Sequence, residues 1–331
     1  MSNPLVIAHR CISYKWLFAL SGTLLLFFIS LFIGVGDLTW TGLQGSFTSE
    51  DWTLIFISRL PRTLALLLAG VALAVAGLLM QMLVQNRYVE PTTAGTGESA
   101  MLGVLFVMLV MPGASIPNKI MIATSFALFG TFIFLAILKR VPLRSPFLAP
   151  LVGLVLGGII HSIATFFAYR YDMLQSLQAW ATGDFSGVIK GRYEILWIGF
   201  FLTCLTYLLA DRFTIMGMGE KVSTNLGINH SVLLLFGLAV ISAISTVIAV
   251  TAGNIPFLGL IIPNAVSLVM GDNIRRSLPW IALLGGNLIL VCDILGRIVI
   301  FPYEIPIGIV MGCVGSALFL YLIINRKDTT A

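Results

Sequence analysis

Apolar runs long enough to cross a bilayer recur along this 331-residue chain, separated by short polar connections. The clearest runs from Leu64 to Val84, where only Gln81 is strongly polar. About 20 residues at a rise of ~1.5 Å each match a hydrocarbon core of ~30 Å. Arg59 and Arg62 precede this run, and the turn-rich segment NRYVEPTTAGTG follows it. Within it Ala65, Ala69, Ala72 and Ala76 form a stripe near i, i+4 spacing. Such a stripe admits a neighbouring helix at close range, as expected where packing drives association in lipid. The same pattern predicts spans at 16–35, 62–84, 93–111, 118–138, 147–168, 194–210, 231–251, 257–271, 280–300 and 306–324. The expectation is an all-α membrane protein, one polytopic domain over 1–331 with about ten transmembrane helices and both termini on the same side.

Composition agrees with that class. At 58% hydrophobic and 10% charged residues, the chain lacks the polar surface to cover a soluble globule. The net charge of +5 forms no basic stripe interleaved with surface aromatics, so nucleic acid is not an expected partner. The basic residues act as topology signals instead. With the amino terminus inside, 12 of the 19 Lys and Arg fall on the inner side and 7 on the outer, which predicts cytoplasmic termini. The first span exceeds a signal-peptide h-region of roughly 7–15 residues and lacks an A-x-A end, so it is retained as a span. Cys11, Cys204, Cys292 and Cys313 are dispersed, without C-x-x-C spacing or a nearby His, and predict neither a metal site nor a disulfide framework.

Two connections are longer than simple turns. In the outer one, Met173, Leu177 and Trp180 recur at helical spacing before Gly183, predicting a short amphipathic helix at about 172–185. The inner one, MGMGEKVSTNLGINHS at 216–231, is polar and glycine-rich and is expected to form two short helical turns broken near Gly227, a docking surface for a cytoplasmic partner. Val222 and Leu226, four apart, give it an apolar edge more useful against a partner than in water. The eighth span is interrupted by Pro256 and Pro263, and the backbone groups they free must be satisfied by neighbouring protein, so it is expected to be shielded from lipid.

The chain resembles the FecCD family, permease subunits of bacterial ABC importers for iron-siderophore complexes, haem and cobalamin. The resemblance covers almost its whole length. It rests on RLPRTLALLLAGVALAVAGLLMQ, NRYVEPTTAGTGESA, WATGDFSG, GEKVSTNLGI, GNIPFLGLIIPNAV with its downstream D-N-x-R-R-x-L-P, and D-I-L-G-R followed by E-I-P-I-G, in matching order. Two departures stand out: Asn86-Arg87-Tyr88-Val89 replaces the usual N-P-L-A, and Asn264 replaces a usual histidine. The VEPTTAGT wording is similar to permeases for catecholate-type siderophores. The resemblance implies a type II importer permease fold in the bacterial inner (cytoplasmic) membrane. It implies two permease copies or paralogues around a pathway, cytoplasmic ABC ATPase subunits below, a periplasmic or lipid-anchored substrate-binding protein above, and no cofactor. The sequence adds that G-x-x-x-x-G-K-[ST] is absent, so the chain has no P-loop for nucleotide phosphates and its energy must come from a partner.

Arg59 and Arg62 lie three apart on one helical face, where snorkelling anchors are the plain explanation. The resemblance instead implies that these two, with Arg297, receive acidic residues of the binding protein, a task suited to a fixed charge with forked donors. Asp293 and Arg297, four apart, are expected to pair within the bilayer. The match to the family's coupling segment assigns Gly219, Glu220, Val222, Leu226 and Gly227 to ATPase contact. Glu98 is an intramembrane carboxylate and hence a pathway candidate, although the threonines, Ser99 and glycines around it predict a solvated or hydrogen-bonded helix entry. Gln81, Gln85 and Asn86 are expected to bond between helices, and His161 to be a core residue. The rival from another class is an ion-coupled carrier, which would need an ion site near broken helices at the midplane. Few titratable groups are placed to form one, and the long inner loop would have no role. Haem or cobalamin remains the alternative cargo within the family.

Overall fold

The computed structural model describes residues 4–34, 49–141, 145–271 and 273–324. Among them the chain is all-helical, in this order: α1 Pro4–Phe32, α2 Ser49–Leu54, α3 Leu60–Val84, α4 Thr96–Val110, α5 Ile116–Leu138, α6 Leu148–Arg170, α7 Leu174–Ala181, α8 Trp197–Leu208, α9 Ala210–Gly217, α10 Glu220–Asn225, α11 His230–Ala252, α12 Leu258–Met270, α13 Ile274–Ile298 and α14 Ile307–Ile324. Six of these, counting Asp51–Val84 as one, are long and apolar enough to span a membrane. A seventh is added if the pair α8–α9, bent by 70°, is one span, and shorter apolar helices occupy the places of the first, third and eighth predicted spans.

The second predicted span starts too late. A π-helical turn, Ile55–Arg59, joins α2 to α3 into one rod that runs through Pro61. A proline inside a helix clashes with the carbonyl four residues back. Here that carbonyl, on Ile57, accepts from the Lys190 backbone amide at 3.0 Å. The wider turn absorbs the proline, and the freed acceptor ties the rod to the connection after α7.

α3 is the most enclosed span and packs along α13, α12, α11 and α8. The alanine stripe is buried as predicted, but two glycines set the closest approaches. A Cβ on Gly70 would lie 2.6 Å from the Gly285 carbonyl oxygen, and one on Gly77 would lie 2.1 Å from the Gly259 carbonyl oxygen. Backbone meets backbone at both points, so no side chain fits. α12 is largely buried, as expected for a span broken by prolines. Pro263 frees the Gly259 carbonyl, and Gln81 of α3 donates to it at 3.2 Å.

The outer amphipathic helix forms as α7, with Leu177 buried and Met173 and Trp180 packed beside it against α4 and α6. Gly183 does not terminate it. The helix ends at Ala181, and Gly183 is needed where a Cβ would lie 2.6 Å from the Asn254 carbonyl oxygen. Segment 216–231 holds one complete short helix, α10, rather than two: Gly227 ends it and α11 begins at His230. His161 is exposed on α6, not in the core.

Candidate functional site

One end of the bundle gathers the three predicted docking arginines around a buried carboxylate. Asp293, 3% exposed, pairs with Arg297 one helical turn later on α13, as the i, i+4 spacing predicts. The same carboxylate accepts from Arg62 of α3 at 2.7 Å. Arg62 gives its other Nη to Glu304 at 2.7 Å, on the connection between α13 and α14. Arg297 also donates to the Ser30 and Ile33 carbonyls at 3.0 and 2.6 Å and to the Ser30 hydroxyl at 2.7 Å. Arg59 donates to the Leu31 and Phe32 carbonyls at 2.9 and 3.2 Å. Both arginines therefore satisfy carbonyls at the carboxyl end of α1, which the helix itself leaves unpaired, and their charge complements the negative end of its dipole. Arg59 and Arg297 are 7% and 5% exposed, whereas Arg62 is only partly buried and is linked to Glu304 on a loop. The sequence reading did not assign Glu304 a role, and the E-I-P-I-G motif was the signal that contained it.

The opposite end carries the predicted coupling segment. α10 is bounded by Gly219 and Gly227, both at positive φ (108° and 76°), which glycine adopts at little cost. Inside it Ser223 is buried and hydrogen-bonds the Glu220 carbonyl and His230 Nδ1, each at 3.0 Å. The Ile228 amide returns to the Ser223 carbonyl at 3.0 Å, and Asn229 caps α11 by accepting from the Val232 amide at 3.2 Å. On this rigid turn Val222 and Leu226 are 40% and 61% exposed. The apolar edge is held out rather than tucked in.

Between the two ends, Glu90 fastens the loop after α3 to α12. Its carboxylate accepts from the Thr92 hydroxyl at 2.6 Å and from the Phe257 amide at 2.8 Å, at the amino end of α12, where helix amides lack internal partners. Sequence reasoning missed it, because a glutamate beside a proline in a turn-rich loop is expected to be solvated. The two departures from the family pattern meet here: Asn264 donates to the Arg87 carbonyl at 2.8 Å. Asn86 donates to the Pro146 carbonyl at 2.7 Å, and Gln85 takes a left-handed conformation at the end of α3. Gln81, Gln85, Arg87, Thr214, Ser267 and Asn273 line a cavity of about 490 Å³ between α3, α9, α12 and α13. The helix entry around Glu98 is hydrogen-bonded. Thr96 and Thr131 pair at 2.8 Å and Ser99 bonds the Gly95 carbonyl at 2.7 Å, while Glu98 Oε2 faces Gly157 of α6 with no hydrogen-bond partner among the described residues. The described residues hold no cluster of metal-ligating side chains.

Comparison with known proteins assigns the fold and the family. The solved structure of an inward-facing metal-chelate type ABC transporter has a chain that matches at TM-score 0.76 and 23% identity, over 93% of this chain and 98% of that one. The petrobactin import system permease protein YclN of Bacillus subtilis (strain 168) is 47% identical over 298 residues, 90% of this chain and 94% of that protein. The petrobactin import system permease protein FatD of Bacillus anthracis is 40% identical over 328 residues, 99% and 96% of the two chains. The vitamin B12 import system permease protein BtuC of Yersinia enterocolitica serotype O:8 is 33% identical over 325 residues, 93% of each. The FecCD transport family matches residues 22–325, and over that length this multi-pass membrane protein belongs to it.

Proposed function

We propose that this chain is the permease subunit of an ATP-driven importer that moves a ferric siderophore complex, of catecholate type, across the bacterial inner membrane to the cytoplasm. Ten spans with both termini cytoplasmic place the arginine cluster outside and α10 inside. A second permease copy or paralogue completes the pathway, with Glu98 among its intramembrane polar groups. A binding protein that delivers the cargo docks at Arg62, supported by Arg59 and Arg297, and cytoplasmic ABC ATPase subunits engage Gly219, Glu220, Val222, Leu226 and Gly227. The choice of cargo leans on the relatives named for petrobactin import, at 47% and 40% identity, over the vitamin B12 relative at 33%.

The observation that carries the transport role is the apolar Val222–Leu226 edge, exposed on a glycine-bounded turn that joins α9 to α11. A solvated loop gains nothing from presenting such an edge, whereas a partner pushing on it displaces both flanking helices. The test is uptake by cells or proteoliposomes of a panel of ferric siderophores, haem and cobalamin, with the parent chain, Leu226→Asp and Gly227→Pro. Uptake of at least one ferric siderophore is expected, with loss of more than 90% of the rate in both variants and of permease-stimulated ATP hydrolysis. Normal transport by either variant at normal expression overturns the coupling assignment, and uptake of haem or cobalamin alone overturns the cargo.

A further inference from the structure

Arg62 is held by two carboxylates of different kinds. Asp293 is fixed: it lies within α13, is 3% exposed, and shares its charge with Arg297, so its departure would leave two cations without their common anion. Glu304 is not fixed in this way. It sits on the connection between α13 and α14, its side chain is 23% exposed, and its neighbour Tyr303 is 76% exposed. Among the described residues, its side chain hydrogen-bonds Arg62 Nη1 alone, at 2.7 Å. Arg62 is also the only partly buried arginine of the three, Arg59 and Arg297 being 7% and 5% exposed.

An acidic side chain arriving from outside therefore finds the place it would take on Arg62 already filled by a carboxylate. We propose that Glu304 is an internal surrogate for the partner's carboxylate, so that docking proceeds by exchange of Glu304 for an acidic side chain of the binding protein on Arg62. This rests on the docking role proposed for Arg62. The exchange replaces one charge-assisted bond by another of the same kind, while the expelled Glu304 reaches water along a surface loop. The net gain on docking is small by construction. A delivery protein held by such a contact is released readily, because Glu304 stands ready to retake its place.

The test uses the full permease in nanodiscs with its ATPase subunits and the purified binding protein of the same system, titrated at low salt. Glu304→Gln keeps the size of the side chain but competes as a neutral group, and is expected to tighten binding at least threefold and slow release. Arg62→Gln is expected to weaken binding, and in its background Glu304→Gln should have no further effect. Unchanged or weaker binding by Glu304→Gln, with Arg62→Gln still weakened, overturns the surrogate and leaves docking at Arg62 standing. Unchanged binding by Arg62→Gln removes the docking reading and the surrogate with it. A gain from Glu304→Gln that persists without Arg62 overturns the exchange in favour of a general charge effect. If Glu304→Gln fails to assemble, Glu304→Asp decides: its carboxylate falls short of Arg62, so tighter binding supports the exchange and unchanged binding overturns it.

Discussion

Gly77→Ala should be among the most damaging single-methyl additions in this protein. The new Cβ would lie 2.1 Å from the Gly259 carbonyl oxygen and 2.2 Å from its Cα, both backbone atoms that cannot rotate away. Reaching an ordinary contact of roughly 3.4 Å requires α12 to retreat from α3 by about 1 Å, and forced overpacking of this kind costs about 1–3 kcal/mol. The retreat also carries the Gly259 carbonyl away from Gln81, now at 3.2 Å, and strains the Phe257 amide bond to Glu90, now at 2.8 Å. Losing each adds about 1 kcal/mol, so the total is on the order of 3–5 kcal/mol. The assay is thermal unfolding of the detergent-solubilised permease, paired with Gly158→Ala. Gly158 lies in α6 with nothing within 4 Å of its Cβ position, so there alanine gains helix propensity of about 1 kcal/mol without a clash. Gly77→Ala is expected to unfold roughly 10 °C lower than the parent, with Gly158→Ala at or above it. Equal behaviour of the two variants would refute the backbone contact between α3 and α12.

The central carboxylate of the arginine cluster yields a second expectation. Asp293→Ala should destabilise by about 3 kcal/mol, the lower end of the range for breaking a buried pair, because Arg62 keeps Glu304 and Arg297 keeps the α1 carbonyls. Asp293→Asn should fall between, and denaturation at the parent's midpoint by Asp293→Ala would show the cluster to be energetically idle. Topology is tested by cysteines in a background without the native ones: Ser186→Cys should react with an impermeant thiol reagent from outside and Thr224→Cys only after permeabilisation. Both positions are exposed, and reversed labelling would invert the orientation.

What could be read from the sequence followed the distance over which each interaction acts. The apolar runs of the six membrane-length helices, the amphipathic pattern of α7 and the Asp293–Arg297 pair depend on neighbours within one helix, and the structure holds them. The second span begins before its apolar run, at Asp51, because the helix runs through Pro61, and the acceptor this proline displaces is satisfied by Lys190, more than 100 positions away. Pro263 repeats this: the Gly259 carbonyl it frees is taken by Gln81, from a helix far upstream. Glu90 and Glu304 were passed over for the same reason. Glu90 adjoins a proline and Glu304 lies two residues from one on either side, both in loops where a charge is ordinarily solvated, and only the packed bundle brings the Phe257 amide to one and Arg62 to the other. The local irregularities that a periodicity argument discards, prolines within spans and acids within loops, are thus where the distant parts of this chain are tied together. Their partners are set by helix contacts such as Gly77 on Gly259, which no single window of sequence contains. In lipid this follows from the cost of an unpaired backbone group: a broken helix persists only where another element supplies the missing bond, so each break in a span predicts a long-range donor or acceptor beside it.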